Sequence, residues 1–373
     1  MLDELWMLPG AEAFVRRTAD ALADGNSIVV GFPEARQRGF VAALAEVLER
    51  GCLSWQELDA STCGAEERWD ATEWLAERLL RPTEPRTIAQ IVGREAPAAV
   101  LVVQGITLST LEDWLGFLQE YQHLRRNQEQ RGSVFLLITE GVPRQHLRAR
   151  DAAIQTQEWR GALSRLDVLM LAAQDQSGRG ELERSIHVEV VCELARFDPD
   201  LAVLLLETPL EELWDPVNVL RSYAEGRGWN PGSAPGLSWE NGAEDLWGGV
   251  STRHSSVLVL SDRADLLSRR VWRALVRVVF PALEEERLRL LEEYRHRISL
   301  PVETSFGTVT EHGDLELADM AKAPVVWALP QDVARYVKTL KNIRHRLAHL
   351  EVAALDEVRI LWKEHSRHTS RYT

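Results

Sequence analysis

At 373 residues the chain is too long for one ordinary hydrophobic core, which points to two or three domains. Its formal charge of −14 argues against non-specific nucleic-acid binding by the molecule as a whole, and its three cysteines, with no CxxC spacing, fit a reducing cytoplasm better than a disulfide framework or a zinc site. No apolar run approaches the ~20 residues of a membrane span. The acidic start MLDELWMLPG lacks the lysines of a secretory signal, so a cytoplasmic location without membrane attachment is expected.

After a helical opening (GAEAFVRRTADALADG), the run NSIVVGFP predicts a buried strand ending in a turn, followed at once by helix in RGFVAALAEVLERG. Further apolar runs at 98–106 (AAVLVVQGI), 133–141 (SVFLLITEG) and 166–174 (LDVLMLAAQ) predict three more strands, with the amphipathic helix LSTLEDWLGFLQEYQHLRR between the first two of these. Short β-rich runs alternating with helices imply a mostly parallel sheet covered on both faces.

The order strand, turn, helix invites a test against the phosphate loop GxxxxGK[ST]. In that loop exposed backbone N–H groups and a Lys hold phosphates, while Ser/Thr holds Mg²⁺. The corresponding stretch is GFPEARQR. Gly31 and Pro33 remain, but Arg36 replaces the second glycine, Gln37 the lysine and Arg38 the hydroxyl. The strand that should end in an acidic residue ends in Gln104 and Gly105. The stretch resembles the degenerate, inactive P-loop domains related to AAA+ and STAND ATPases; the alternative is an α/β sheet of other ancestry. Both predict no ATP hydrolysis. Arg36 and Arg38 either hold an anion at the helix start or are plain surface arginines.

From 179 to 262 the pattern is helical, punctuated by Pro209 and Pro216, and then rich in Gly, Ser and Pro around Trp239 and Trp247. This stretch reads as a helical lid and linker, its tryptophans docking it to a neighbour, with His187 a satisfied core or boundary residue. From 263 two helices are expected, parted or kinked at Pro281. The acidic run Glu284 to Glu286 pairs with Arg287 and Arg289 on a solvated face. A loop, or a hairpin, follows in PVETSFGTVTEHGDLELADM.

The last strong helix begins near Pro330. Its apolar positions Val333, Tyr336, Val337, Leu340, Ile343, Leu347 and Leu350 form one buried stripe. From 331 to 373 the net charge is +4, which leaves −18 on the remainder, and four of the ten histidines lie there. At its end the chain reads KNIRHRLAHL, with His345 and His349 one turn apart and Arg344 at the edge of the stripe. A cationic helix terminus, a two-histidine metal site without a third ligand, and a nucleic-acid-binding helix without chemistry are three readings of this segment.

The fourth rests on IRHRLAHLE, which resembles the motif of the HEPN superfamily. On that pattern Arg344 is the arginine, His345 the polar residue and His349 the histidine. The resemblance spans 263–373 and implies an all-α bundle that cleaves RNA as a homodimer without a metal or other cofactor. RNA carries its own nucleophile, the 2′-OH, so cleavage needs only proton transfer and a fixed cation for the phosphorane charge. Histidine and arginine supply these, and the negative end of a helix suits the cationic imidazole that general-acid work requires of His349. The expected products are a 2′,3′-cyclic phosphate and a 5′-hydroxyl.

The organisation expected is therefore 1–178, a degenerate P-loop-like α/β domain; 179–262, a helical lid and linker; and 263–373, a HEPN-like all-α domain. HEPN modules beside degenerate P-loop domains resemble bacterial antiviral defence and toxin systems. That implies an RNA substrate, a homodimer through the C-terminal helices and partner proteins of such a system. The runner-up is a non-catalytic scaffold or dimerisation subunit.

Overall fold

The computed structural model describes residues 5–36, 38–62, 69–93, 99–127, 132–147, 154–173, 180–261, 263–304, 307–323 and 325–369. The chain divides into two compact units, each made of two segments: Met1–Asp167 with Pro235–His254, and Val168–Ala234 with Ser255–Thr373.

In the first unit the elements run α1 (Pro9–Ala23), β1 (Ser27–Phe32), α2 (Phe40–Arg50), β2 (Trp55–Asp59), α3 (Ala71–Leu79), α4 (Ile88–Gly93), β3 (Val100–Ile106), α5 (Leu108–Asn127), β4 (Val134–Glu140), α6 (Arg144–Leu147) and β5 (Ile154–Glu158). α7 (Arg165–Ala173) carries the chain across the division at Asp167. The five strands form one parallel sheet in the order β2-β3-β4-β1-β5, so β1 sits between β4 and β5, and the turn after it leads into α2.

A parallel sheet is covered on both faces, which is why its inner strands read as unbroken apolar runs. Alternate residues feed two cores. Val29, Leu101, Val103, Phe135 and Leu137 pack with Trp74, Trp114, Phe117 and Tyr121. Ile28, Val30, Val100, Val102, Leu136 and Ile138 pack with Phe14, Phe40, Leu44 and Trp159.

The strand expected at 166–174 is helix α7, and the sheet instead takes β2 and the edge strand β5. The reason is a reciprocal cap. Asp167 Oδ2 accepts from the Ser164 N–H at 2.7 Å, and Ser164 Oγ lies 3.4 Å from the Asp167 N–H. That Ser-x-x-Asp capping box starts a helix whatever the apolar run after it suggests. The fully buried Asp167 also accepts from the Gly10 N–H at 2.8 Å, tying α1 to the same carboxylate.

The antiparallel pair β6 (Glu244–Trp247) and β7 (Val250–Arg253) also belongs to the first unit. Trp239, ahead of it, is buried in the core and donates its indole N–H to the Trp159 carbonyl at 3.3 Å. The 179–262 stretch is thus not one segment. Its part from 235 to 254 completes the α/β unit, and the residues on either side of that part belong to the other.

In the second unit α8 (Glu181–Ala195), α9 (Pro199–Glu207), α10 (Leu210–Trp214) and α11 (Val217–Gly226) precede α12 (Ser255–Leu260) and α13 (Ala264–Glu293). α8 packs along α13. His187 is buried and donates to the Thr208 carbonyl at 3.2 Å, a satisfied core histidine.

α13 runs unbroken for 30 residues through Pro281, where a break or kink was expected. A proline inside a helix costs about 3 kcal/mol. The buried row of Leu267, Val271, Leu275, Val279, Leu283 and Leu290 spans both sides of it and offsets that cost. The short hairpin β8 (Val302–Thr304) and β9 (Gly307–Val309) interrupts the expected all-α bundle before α14 (Leu317–Met320), α15 (Val325–Ala328), α16 (Gln331–Ala348) and α17 (Leu355–Thr369).

The Asp167 carboxylate collects three donors, so Asp167→Ala should lower unfolding stability by about 2 kcal/mol and Ser164→Ala by about 1. Denaturant midpoints of the two variants would measure both losses.

Candidate functional site

Two places carry the candidate residues, the turn after β1 and the end of α16. At the first, Gly31 lies inside β1, where an added Cβ would come 2.3 Å from Leu147 Cδ1, so Leu147 of α6 would have to shift to admit any side chain there. Gln37 lies outside the described residues. Arg38 is exposed, and its carbonyl accepts the Trp6 indole N–H at 2.8 Å.

Two backbone N–H groups of the turn after β1 are directed to protein acceptors. Glu34 donates to the Glu240 carbonyl at 2.8 Å, and Ala35, at φ 62°, donates to the Glu140 carboxylate. A phosphate cradle needs such groups free and convergent. Here a carboxylate of the chain itself stands at the loop.

Arg36, one of the two expected surface arginines, is buried, and its charge acts on Asp245. Burial pushes the Asp245 carboxyl up to about 6, against the Gly161 and Leu246 N–H groups and the Arg160 and Arg36 charges. At the end of β3 the Gln104 amide donates to the Glu57 carboxylate of the neighbouring strand, a structural tie between β2 and β3.

At the second place, α16 docks through Val337, Leu340, Ile343 and Leu347, all buried. Its far end is held from α13, where the Trp272 indole N–H donates to the Leu347 carbonyl at 2.7 Å. His345 and His349 are both exposed, with ring centroids 4.4 Å apart at 61°.

Arg344 is elsewhere. Its Nη2 lies 2.7 Å from Glu316 Oε2 and its Nε 3.5 Å from Glu284 Oε1, with its guanidinium 5.8 Å from the centre of the Phe280 ring. The contacting Nε, Oε1 and Oε2 atoms are shut off from solvent and meet as charges rather than through aligned hydrogen bonds. The geometry explains the separation. Five residues along a helix turn the direction by roughly 140°, so Arg344 leaves toward α13 while His349 leaves toward solvent. The structure therefore joins the two histidines and separates the arginine from them. Among the described residues, no group of three or more His, Cys, Asp or Glu side chains is placed to hold a metal.

The helix closes in a Schellman motif: the Glu351 N–H bonds the Arg346 carbonyl at 2.9 Å and the Leu350 N–H the Leu347 carbonyl at 3.3 Å. The left-handed residue of this motif is Leu350, at φ 62° and 54% exposed, so the buried stripe stops at Leu347. Glycine is the natural occupant of that conformation. Leu350→Gly should raise stability by about 1 kcal/mol, seen as a higher thermal midpoint with the helix content unchanged.

A buried ionic cluster in the same unit went unread in the sequence. Glu286, expected on a solvated face, is 2% exposed. It accepts from Arg289 at 2.9 Å and from the Tyr336 hydroxyl at 3.0 Å, and meets His365 Nδ1 of α17 at 3.3 Å. Three helices converge on one carboxylate. Burial would raise Glu286, but the bonds from His365, Arg289 and Tyr336 prevail and hold it below the usual range. The hydrogen bond to Glu286 raises His365 above 6.5 despite partial burial.

For a histidine raised on folding, the stabilisation is fully present below its unfolded value and is lost as pH rises through the folded one. For Glu286, lowered on folding, the contribution is lost as pH falls through the folded value. The stability difference between wild type and His365→Gln should therefore be largest near pH 6 and shrink toward pH 9. Urea denaturation across that range would show it, and a difference that grew with pH would contradict the pairing.

No family model and no curated protein matches this chain. Among solved structures, the Thermotoga maritima RuvB Holliday junction branch migration motor aligns over 80% of this chain and 91% of its own, at 10% identity and a TM-score of 0.27. A likeness at that level assigns no activity.

Proposed function

We propose that the second unit is a metal-independent endoribonuclease of HEPN type, and that the first unit is a non-hydrolysing sensor or scaffold. The observation that supports it is the pair of exposed imidazoles at the end of α16, 4.4 Å apart. One neutral imidazole takes the proton of a 2′-OH, whose oxygen attacks the adjacent phosphorus. The other, protonated, gives its proton to the departing 5′-oxygen. The P–O5′ bond breaks, and a 2′,3′-cyclic phosphate and a 5′-hydroxyl remain.

On this reading His345 is a proton-transfer group rather than a spacer, and Arg344 must exchange its carboxylates for phosphate before it can act. Two copies of the chain, meeting through their C-terminal helices, would line one groove. The inward-turned N–H groups of Glu34 and Ala35 favour a first unit that turns over no nucleotide. An antiviral-defence or toxin setting follows from the resemblance alone.

A second reading, a non-catalytic scaffold within a multi-protein complex, draws on the Arg344 contacts with Glu284 and Glu316, which have the form of a structural ion pair. One experiment separates the two. Wild type should cleave single-stranded RNA in EDTA to cyclic-phosphate ends, and His345→Ala and His349→Ala should each lose about 100-fold or more in rate with unchanged melting curves. RNA left intact by wild type would hand the protein to the scaffold reading.

A further inference from the structure

The exposed face of α16 carries a feature that the two imidazoles do not account for. Arg335, Lys338, Lys341, His345 and His349 are all exposed and follow one another at helical spacing. At 100° per residue they lie on the side opposite Val337, Leu340, Ile343 and Leu347, the row that docks the helix. From Arg335 to His349 the line is about 21 Å long. Its steps of three or four residues are comparable to the phosphate spacing of an extended strand.

Asp332, in the first turn, is the one acidic residue of the helix. The ion pairs of α16 are made by Arg344 and, at 4.0 Å, by Arg346 with Glu357; among the described residues none is made by Arg335, Lys338 or Lys341. In a chain of net charge −14 a row of exposed cations without carboxylate partners makes a local positive potential that attracts an anion from outside.

We propose that this face is a track for the phosphates of single-stranded RNA, laying a strand along α16 with one linkage at the imidazole pair; the choice of RNA rests on the cleavage reading above. A membrane surface fits less well, because between Arg335 and His349 the exposed positions hold no large apolar side chain to insert. The line is single-file, which suits a flexible strand better than the paired backbones of a duplex. Glu357, 3.2 Å from Asn342, marks one border of the track, and the carboxylates around Arg344 mark the other.

The test measures binding apart from cleavage. In a His345→Ala, His349→Ala background, which keeps the RNA whole, a fluorescein-labelled oligouridylate is titrated in EDTA at several salt concentrations. Adding Arg335→Gln, Lys338→Gln and Lys341→Gln should weaken binding at least tenfold at low salt and flatten the log–log salt slope by about 2. Removing three exposed arginines of the first unit, Arg16, Arg50 and Arg86, should change neither.

A loss below twofold, an unchanged slope, or an equal loss in the control variant overturns the track. So does displacement of the RNA by polyglutamate at equal charge, which would make an acidic protein the occupant. RNA that binds here and is never cut by wild type sinks the nuclease reading and leaves the track standing. RNA that is cut while the triple variant binds like its parent does the reverse.

Discussion

The docking of α16 through Val337, Leu340, Ile343 and Leu347 decides what every other side chain on that helix can do. A helix has one phase. Once four leucine-like positions and the Trp272 bond to the Leu347 carbonyl set it, the cations at three- and four-residue steps are forced outward. His345 and His349 become neighbours, and Arg344 is carried round to Glu284 and Glu316. The chemistry available at the helix end follows from packing on the opposite side rather than from any local feature of the motif.

The first unit shows the same logic at a loop. A strand–turn–helix unit in the middle of a parallel sheet places a ring of N–H groups at the strand ends, where ligands commonly bind. Here the chain supplies its own acceptors, the Glu140 carboxylate at the end of β4 and the Glu240 carbonyl ahead of β6. Arg36 is likewise drawn inward, its charge acting on the buried Asp245.

What could be read from the sequence follows from how strongly each segment is constrained. The inner strands β1, β3 and β4 are buried on both faces and announce themselves as runs of Val, Ile and Leu. The outer strands are half covered, so WQELD and IQTQE look like ordinary surface. LDVLMLAAQ misleads because apolar content does not distinguish a buried strand from a buried helix; the deciding signal, Ser164 and Asp167, lies at its start. Glu286 was illegible for a related reason. Its charge marks a surface residue, and only the meeting of Tyr336 and His365 with it, 50 and 79 positions away, makes a buried carboxylate tolerable. The two histidines were legible because i, i+4 spacing is a local property; the partners of Arg344 were not, being 60 and 28 residues distant.

The division of the chain has a consequence for its history and its handling. The polypeptide passes from one unit to the other at 167, returns at 235 and leaves again at 254, so neither unit is a contiguous stretch. A fragment stopped before 235 would lack Trp239 beneath the sheet and the Asp245 that faces Arg36, while one begun at 263 would strip α8 from the flank of α13. The two halves are braided through one another along the chain, and recombination could shuffle them only as a single cassette.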